Sequence, residues 1–310
     1  MSRRGADAGV VRRHPSAPVT TGLRNRLPCA AVTAGMTGRL GRRGGAAIVL
    51  AVALTAVLGS CGDTEDAARG RFEPAVPGEL RVAADLPAPG YWDDDGFERG
   101  IAEALAERFG LRLVVVDVAF AEIAAGELGG ADLALAQLSV TDDREGALDF
   151  SIPYDETSPT VLGRADDEIA DLATARDRTW AVVDGTLYVD DVAEVIRPDR
   201  APLVVTDDPS AASLVRNGEV DAALLDTASA AALAAESAPG IRLGALARLG
   251  RTDTVAAGLP EGSPNRVALD AALRALIADG TVDDLRDRLW TRIGLDPDDL
   301  PVIRVRVTPR

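Results

Sequence analysis

The sequence predicts an α/β protein made of two units, each a parallel-rich sheet flanked by helices. Three observations predict it. Short β-type runs alternate with amphipathic helical stretches from Glu79 onward, the alternation begins again near Thr179, and the chain closes on two helices separated by a glycine. Strand and helix in alternation put helices on the faces of a parallel sheet.

The first run, "LRVAAD" from Leu80 to Asp85, reads as a strand. "GFERGIAEALAERFG" follows as a helix, with Ile101, Leu105 and Phe109 at four-residue spacing on one face. "LRLVVVDV" is the second strand and completes a βαβ unit, and "ADLALAQLSV" supplies a third. In the second half "TWAVVDGT", "APLVVTD" and "VDAALLD" repeat the short-strand theme around the helical "DPSAASLVRNGE". The last segment carries Val267, Leu269, Leu273 and Leu276, then Leu285, Leu289 and Ile293, as two helices broken at Gly280. Helices normally bury one face, so this stripe reads as core.

Composition removes several chemistries. The chain has 310 residues, 47% of them hydrophobic, which is ample for real cores. Its net charge is −16, and all 33 cationic side chains are arginine, so no Schiff-base or P-loop lysine exists. The one histidine is His14 and the two cysteines are Cys29 and Cys61. That leaves no ligand set for zinc and no Ser/His or Cys/His pair outside the N-terminus, and no cofactor is called for. An acidic surface of this size repels nucleic acid.

Residues Met36 to Gly62 run from Arg39, Arg42 and Arg43 through an apolar run, Ala46 to Leu58, into Leu-Gly-Ser-Cys. The run is shorter than the roughly 20 residues that span a bilayer and reads as the core of a secretion signal. Its ending resembles a bacterial lipobox, which implies cleavage before Cys61 and lipid on its sulfur. Residues 1–35 read as an over-extended start with Met36 as the initiator. Loss of residues 1–60 removes nine Arg and one Asp, taking the charge from −16 to −24. Residues 61–78, polar and rich in Pro and Gly, are expected to be a tether.

The strand, helix and loop runs taken in order, "LRVAAD", "GFERGIAEALAERFG", "ADLALAQLSVTDDREGALDFSIPY", "VVDGT", "GEVDAALLDT" and "ALIADGTVDDLRDRLW", resemble extracellular solute-binding proteins of family 3. These are the substrate-binding lipoproteins of polar-amino-acid ABC transporters. The resemblance implies the two-lobed type 2 periplasmic-binding fold, with lobe 1 at 79–163 and 257–310, lobe 2 at 167–253, and a hinge near Leu162–Asp166 and Thr254–Gly258. It implies a lipid-anchored monomer on the extracytoplasmic face of the cell membrane, not an enzyme, that hands an amino acid to a permease.

The same resemblance places the ligand. Ser139 and Arg144 would take its α-carboxylate, a planar guanidinium suiting two parallel hydrogen bonds; the other reading of Arg144 is a solvated ion pair with Asp143 or Glu145. Asp226 would take the α-ammonium, or serve as the N-cap of "TASAAALAA". Asp85 would meet the ligand's side chain, or cap the turn "DLPAPG". Gly185 and Thr186 would offer groups to the carboxylate, or form an ordinary strand-to-helix turn. Where relatives carry a covering aromatic the chain has Ala88, so Tyr91 and Trp92 would cover the pocket or pack on the lobe, and Phe120 would be pocket wall or core. The competing functions are an orphan or sensory binding module and an enzyme of the cyclohexadienyl-dehydratase type. "PGYWDDDGFERG" also resembles the binding domain of certain lytic transglycosylases, without their catalytic domain.

Overall fold

The computed structural model describes residues 70–304 except 165, 168, 170, 238–240, 249–252, 297–298 and 300–301. The signal segment, the lipobox cysteine and most of the expected tether lie outside the described residues. Eleven strands are described: β1 (Glu79–Ala84), β2 (Arg112–Asp117), β3 (Leu133–Ala134), β4 (Leu148–Thr157), β5 (Pro159–Arg164), β6 (Trp180–Val183), β7 (Leu203–Val205), β8 (Ala222–Asp226), β9 (Ile241–Arg248), β10 (Asp253–Pro260) and β11 (Val302–Arg304).

They form two sheets, one of five strands in the order β2-β1-β3-β10-β4 and one of six in the order β11-β9-β5-β8-β6-β7. In the first, β1 pairs in parallel with β2 and β3, and β10 runs antiparallel to β3 and β4. In the second, β6 is parallel to β7 and β8, while β5 is antiparallel to β8 and β9. Parallel pairs need helical crossovers, and the helices Phe97–Phe109 and Asp208–Asn217 supply them.

Each sheet buries its own apolar helix faces. Phe97, Ile101 and Leu105 turn inward on the first helix, with Leu80 and Val82 of β1 in the same core. The closing helices Arg266–Ala278 and Thr281–Ile293 add Leu269, Leu273, Leu276, Leu285 and Leu289, with Gly280 between them at φ 87°. Val267, expected in the stripe, faces solvent at 61% exposure.

The passages between the sheets fall elsewhere than expected. Only Ser158 separates β4 in the first sheet from β5 in the second, so the chain crosses before Leu162–Asp166. The reason is packing: Val161 and Leu162 are fully buried and pair with Leu224 and Ala223 of the second sheet. Thr254–Gly258 likewise belongs to β10, zipped to β4, and the return passage precedes Asp253. At the chain end, β11 pairs with β9, so Val302–Arg304 joins the second sheet although 257–310 was expected in the first.

The expected tether is also shorter. Phe72 is buried and stacks on Phe109 at 4.4 Å between ring centroids. The Glu73 N–H donates to Asn265 Oδ1 (2.7 Å) and the Ala75 N–H to Asp132 Oδ1 (2.6 Å). One aromatic and two backbone hydrogen bonds are enough to hold this arm against the first unit.

Candidate functional site

The segment from Gln137 to Glu145 shows how one arginine among acids is turned inward. Gln137 has a left-handed backbone (φ 48°), an uncommon conformation for a residue with a side chain, and it bends the chain out of β3. Ser139 then forms a single bridge to Val255. Thr141 caps the helical turn Asp142–Glu145, its hydroxyl accepting from the Arg144 N–H (3.3 Å). On that turn Asp142, Asp143 and Glu145 are exposed and Arg144 is 6% exposed.

The guanidinium bonds to carbonyls rather than to its acidic neighbours. Nη1 donates to Ser139 O (2.8 Å) and Nη2 to Gly185 O (2.9 Å), and the charge lies 5.3 Å from the Phe120 ring centroid. Ser139 follows the first sheet and Gly185 follows β6 of the second, so Arg144 ties the two halves together. Burial pulls its pKa below the usual arginine value, while the fields of Tyr188 and Asp253 oppose that shift. The alternative reading, a surface ion pair with Asp143 or Glu145, is absent among the described residues.

Gly185 is where the halves touch. Its φ is 73°, and a Cβ there would lie 2.7 Å from the Ala121 Cα of the opposite unit. Both the backbone conformation and the approach require glycine. Its N–H is bound to the Asp184 carboxylate and its carbonyl faces Arg144, so it offers a carbonyl where a donor was expected. Thr186 lines the cavity, its hydroxyl donating to Val183 O (2.7 Å).

Between the halves lies a cavity of about 50 Å³, lined among others by Arg144, Ser139, Phe120, Thr186, Asp85, Asp208 and Asp226, with Pro87 and Ala88 also in its wall. Strand ends and helix N-termini converge here, as they do at ligand sites of open α/β sheets.

Asp226 makes the helix cap that was one of its two readings, and it also lines the cavity. Its Oδ1 accepts from the N–H groups of Ala228 (2.9 Å) and Ser229 (3.1 Å) as a helix cap, and from Tyr91 Oη (2.7 Å) across the cleft. Asp85 also lines the cavity, its pKa pushed up to about 6 by burial first and then by Asp207 and Asp117.

Asp208, which sequence reasoning missed, is the first residue of the helix Asp208–Asn217. Its carboxylate is turned into the cleft, where burial and then Asp226 push its pKa up to about 7, against a lowering contribution from Ser229. The wholly buried Ser229 hydroxyl is close to it yet outside hydrogen-bonding geometry. The signal was present in "TDDP": Asp207 caps the helix, accepting from the Ser210 N–H (2.7 Å), so the second aspartate had no capping duty.

Tyr91 and Trp92 are not cavity walls. Tyr91 reaches the site only through its hydroxyl on Asp226, and its ring packs edge-on to Phe97 at 6.4 Å. Trp92 Nε1 donates to Leu135 O (3.0 Å) and Glu98 Oε2 (3.2 Å) inside the core. The apolar bodies of both rings are consumed by the first unit. Phe120 lines the cavity and belongs at the same time to the apolar core behind it.

Beneath the floor sits Glu98, fully buried and accepting from Trp92, Tyr154 and both the N–H (2.7 Å) and Nε2 (2.8 Å) of Gln137. Burial pushes its pKa up to about 7 in spite of these donors. Gln137 lines the cavity, so Glu98 fixes a wall residue from behind.

The two sheets, the single-residue passage at Ser158 and the cleft between them define the two-lobed periplasmic binding fold. The sequence profile of the bacterial extracellular solute-binding proteins, family 3, matches residues 80–291, and the chain belongs to that family. It is 27% identical to the amino-acid-binding protein AabA of Dichelobacter nodosus over 219 residues, 68% of this chain and 87% of that protein. It is 27% identical to the membrane-bound lytic murein transglycosylase F of Ectopseudomonas mendocina over 265 residues, 79% of this chain, and spans about half (52%) of that protein's length.

Two solved structures share the fold. One is an amino acid ABC transporter substrate-binding protein from Streptococcus pneumoniae bound to L-arginine, with TM-score 0.60, 25% identity, and coverage of 69% of this chain and 94% of that one. The other is a mutant of ArgBP from T. maritima, with TM-score 0.61, 22% identity, and coverage of 69% and 96%. Among the described residues no helix is long and apolar enough to cross a membrane, and no group of His, Cys, Asp and Glu is placed to hold a metal ion.

Proposed function

We propose that this protein is a lipid-anchored, extracytoplasmic receptor that captures a polar amino acid and passes it to an ABC importer, without catalysis. The observation that carries it is Arg144, a buried cation facing the cavity and free of its acidic neighbours. A guanidinium has five N–H groups, and two are used by the carbonyls, so three remain for a carboxylate. The Ser139 and Thr186 side chains stand beside it. Asp226, with Oδ1 occupied by three donors, presents Oδ2 to the ligand's ammonium.

Closure of the lobes over a ligand strengthens the polar contacts by excluding water. The lipobox resemblance at Cys61 supports the anchor, and family membership supports the importer partner. The test is a thermal-shift screen of the common amino acids. One or a few should raise the Tm of the wild type and leave Arg144→Met unmoved; a screen in which none shifts the wild type contradicts the reading.

A further inference from the structure

Asp226 stands beside the passage from one sheet to the other. It is the last residue of β8 and pairs with Pro159, the first residue of β5, which follows Ser158 directly. The next residue, Thr227, donates from its hydroxyl to Ser158 O (2.9 Å), and that hydroxyl lies 2.7 Å from the one on Thr160. Three donors meet Asp226 Oδ1. Two are N–H groups of its own helix, on Ala228 and Ser229, and the third is the Tyr91 hydroxyl, which comes from the other lobe. None of the three uses Oδ2.

Tyr91 is held as a rigid strut. Its side chain is buried, and its ring leans edge-on against Phe97, which itself lies beneath the Arg286 guanidinium at 5.6 Å. Its N–H donates to Ala88 O (3.1 Å), and its carbonyl accepts from the Arg99 N–H (3.0 Å). A Cβ at Gly96 would overlap that carbonyl, so the loop folds this tightly only over a glycine. Burial first, and then the field of Asp226, push the Tyr91 pKa well above the ordinary phenol value, so the hydroxyl keeps its proton and donates. A hydroxyl given to a carboxylate is among the stronger hydrogen bonds a protein makes.

Building on the amino-acid-receptor reading, in which Asp226 takes the α-ammonium, we infer that Tyr91 is the positioning residue for that contact: a hydroxyl from the first lobe fixes the carboxylate of the second and thereby sets the preference for an amine at the ligand's α-carbon. The two N–H groups hold Oδ1 from the helix, and the hydroxyl holds it from the opposite lobe, which leaves Oδ2 for the ligand. A bond this close to the passage at Ser158 has a short lever arm, so a swing of the lobes changes its length little. The carboxylate is therefore set before the ligand arrives, and binding is spared the cost of ordering it.

Calorimetric titration of the mature chain with the twenty common L-amino acids, and with the α-hydroxy acid of the same side chain for each that binds, reads the preference for an ammonium over a hydroxyl. Tyr91→Phe keeps the ring and removes only the strut's hydroxyl. Its affinity for the amino acid should fall at least about tenfold, the size seen when the partner that orients a binding group is lost. Its affinity for the α-hydroxy acid should change by less than about threefold, as should that of Asp226→Asn for either probe when Tyr91→Phe is added to it, because the hydroxyl acts through the carboxylate. Phe97→Leu, which removes the ring that Tyr91 leans on and keeps its hydroxyl, should lower the amine preference in the same direction.

Amino acids bound by Tyr91→Phe within about threefold of wild type, or amino and α-hydroxy acids weakened alike, overturn the positioning role and leave the receptor reading standing. An amine preference unaltered in Asp226→Asn takes the ammonium away from Asp226 and overturns the role as well. A screen in which no amino acid binds the wild type brings down both.

Discussion

Replacing Arg144 by methionine keeps much of its volume and deletes its charge, and the structure gives the change two opposite signatures. For stability, two hydrogen bonds from a charged donor are lost, each worth about 1.5–3 kcal/mol. The buried guanidinium no longer needs to be desolvated, which returns several kcal/mol. The net change is expected to stay within about 2 kcal/mol, a Tm shift of no more than about 8 °C for a chain of this size. For binding, losing one partner of a desolvated charge pair costs about 2–5 kcal/mol. At 1.4 kcal/mol per decade that is roughly 30- to 4,000-fold in Kd. Calorimetry with the best amino acid from the screen reads the second quantity and a melting curve the first. A variant that binds within about threefold of wild type but melts more than about 10 °C lower would show that Arg144 braces the lobes and holds no ligand.

Glu98, Asp208 and Asp85 all have folded pKa values raised above their ordinary ones, to about 7, 7 and 6. The folded state thus binds more protons than the unfolded one between about pH 4 and 7, so ligand-free stability should fall as pH rises through that window; Glu98→Gln should flatten the fall, and melting curves with identical slopes in variant and wild type would contradict it. Gly185→Ala places a Cβ against the Ala121 backbone and strains a φ of 73°, so ligand affinity should drop at least about tenfold with each lobe still folded; unaltered affinity would mean the cleft closes less than described. Cys61→Ser should move the expressed protein from the membrane to the soluble fraction of its host, and a wild type that is already soluble would dismiss the lipid anchor.

Strand and helix order was legible because both periodicities are strong: Ile101, Leu105 and Phe109 mark one helix, and the Val-rich run before Asp117 one strand. Arg144 was legible only through the order of motifs around it. Its local sequence, four acids nearby, argued for a surface ion pair, and the direction in which a single helical turn points its third residue is a tertiary fact. Asp208 stayed hidden because "DDP" reads as a helix start whichever aspartate faces the cavity. Tyr91 and Trp92 misled in the opposite direction, since an aromatic serves a core and a pocket wall equally well, and Glu98, which settles where Trp92 goes, is six residues further on. The passage at Ser158 was misplaced because an apolar stretch such as "TVLG" can zip to either sheet, and the partner strands that decide lie far along the chain.

The buried Phe72 changes how far an anchored molecule can wander. With the arm pinned at Phe72, eleven peptide links rather than the eighteen to Glu79 separate Cys61 from the folded body, a leash of at most about 40 Å. Under the proposed anchor, that holds the binding domain within roughly its own width of the bilayer, and so keeps it at high local concentration for any membrane-embedded recipient of its cargo.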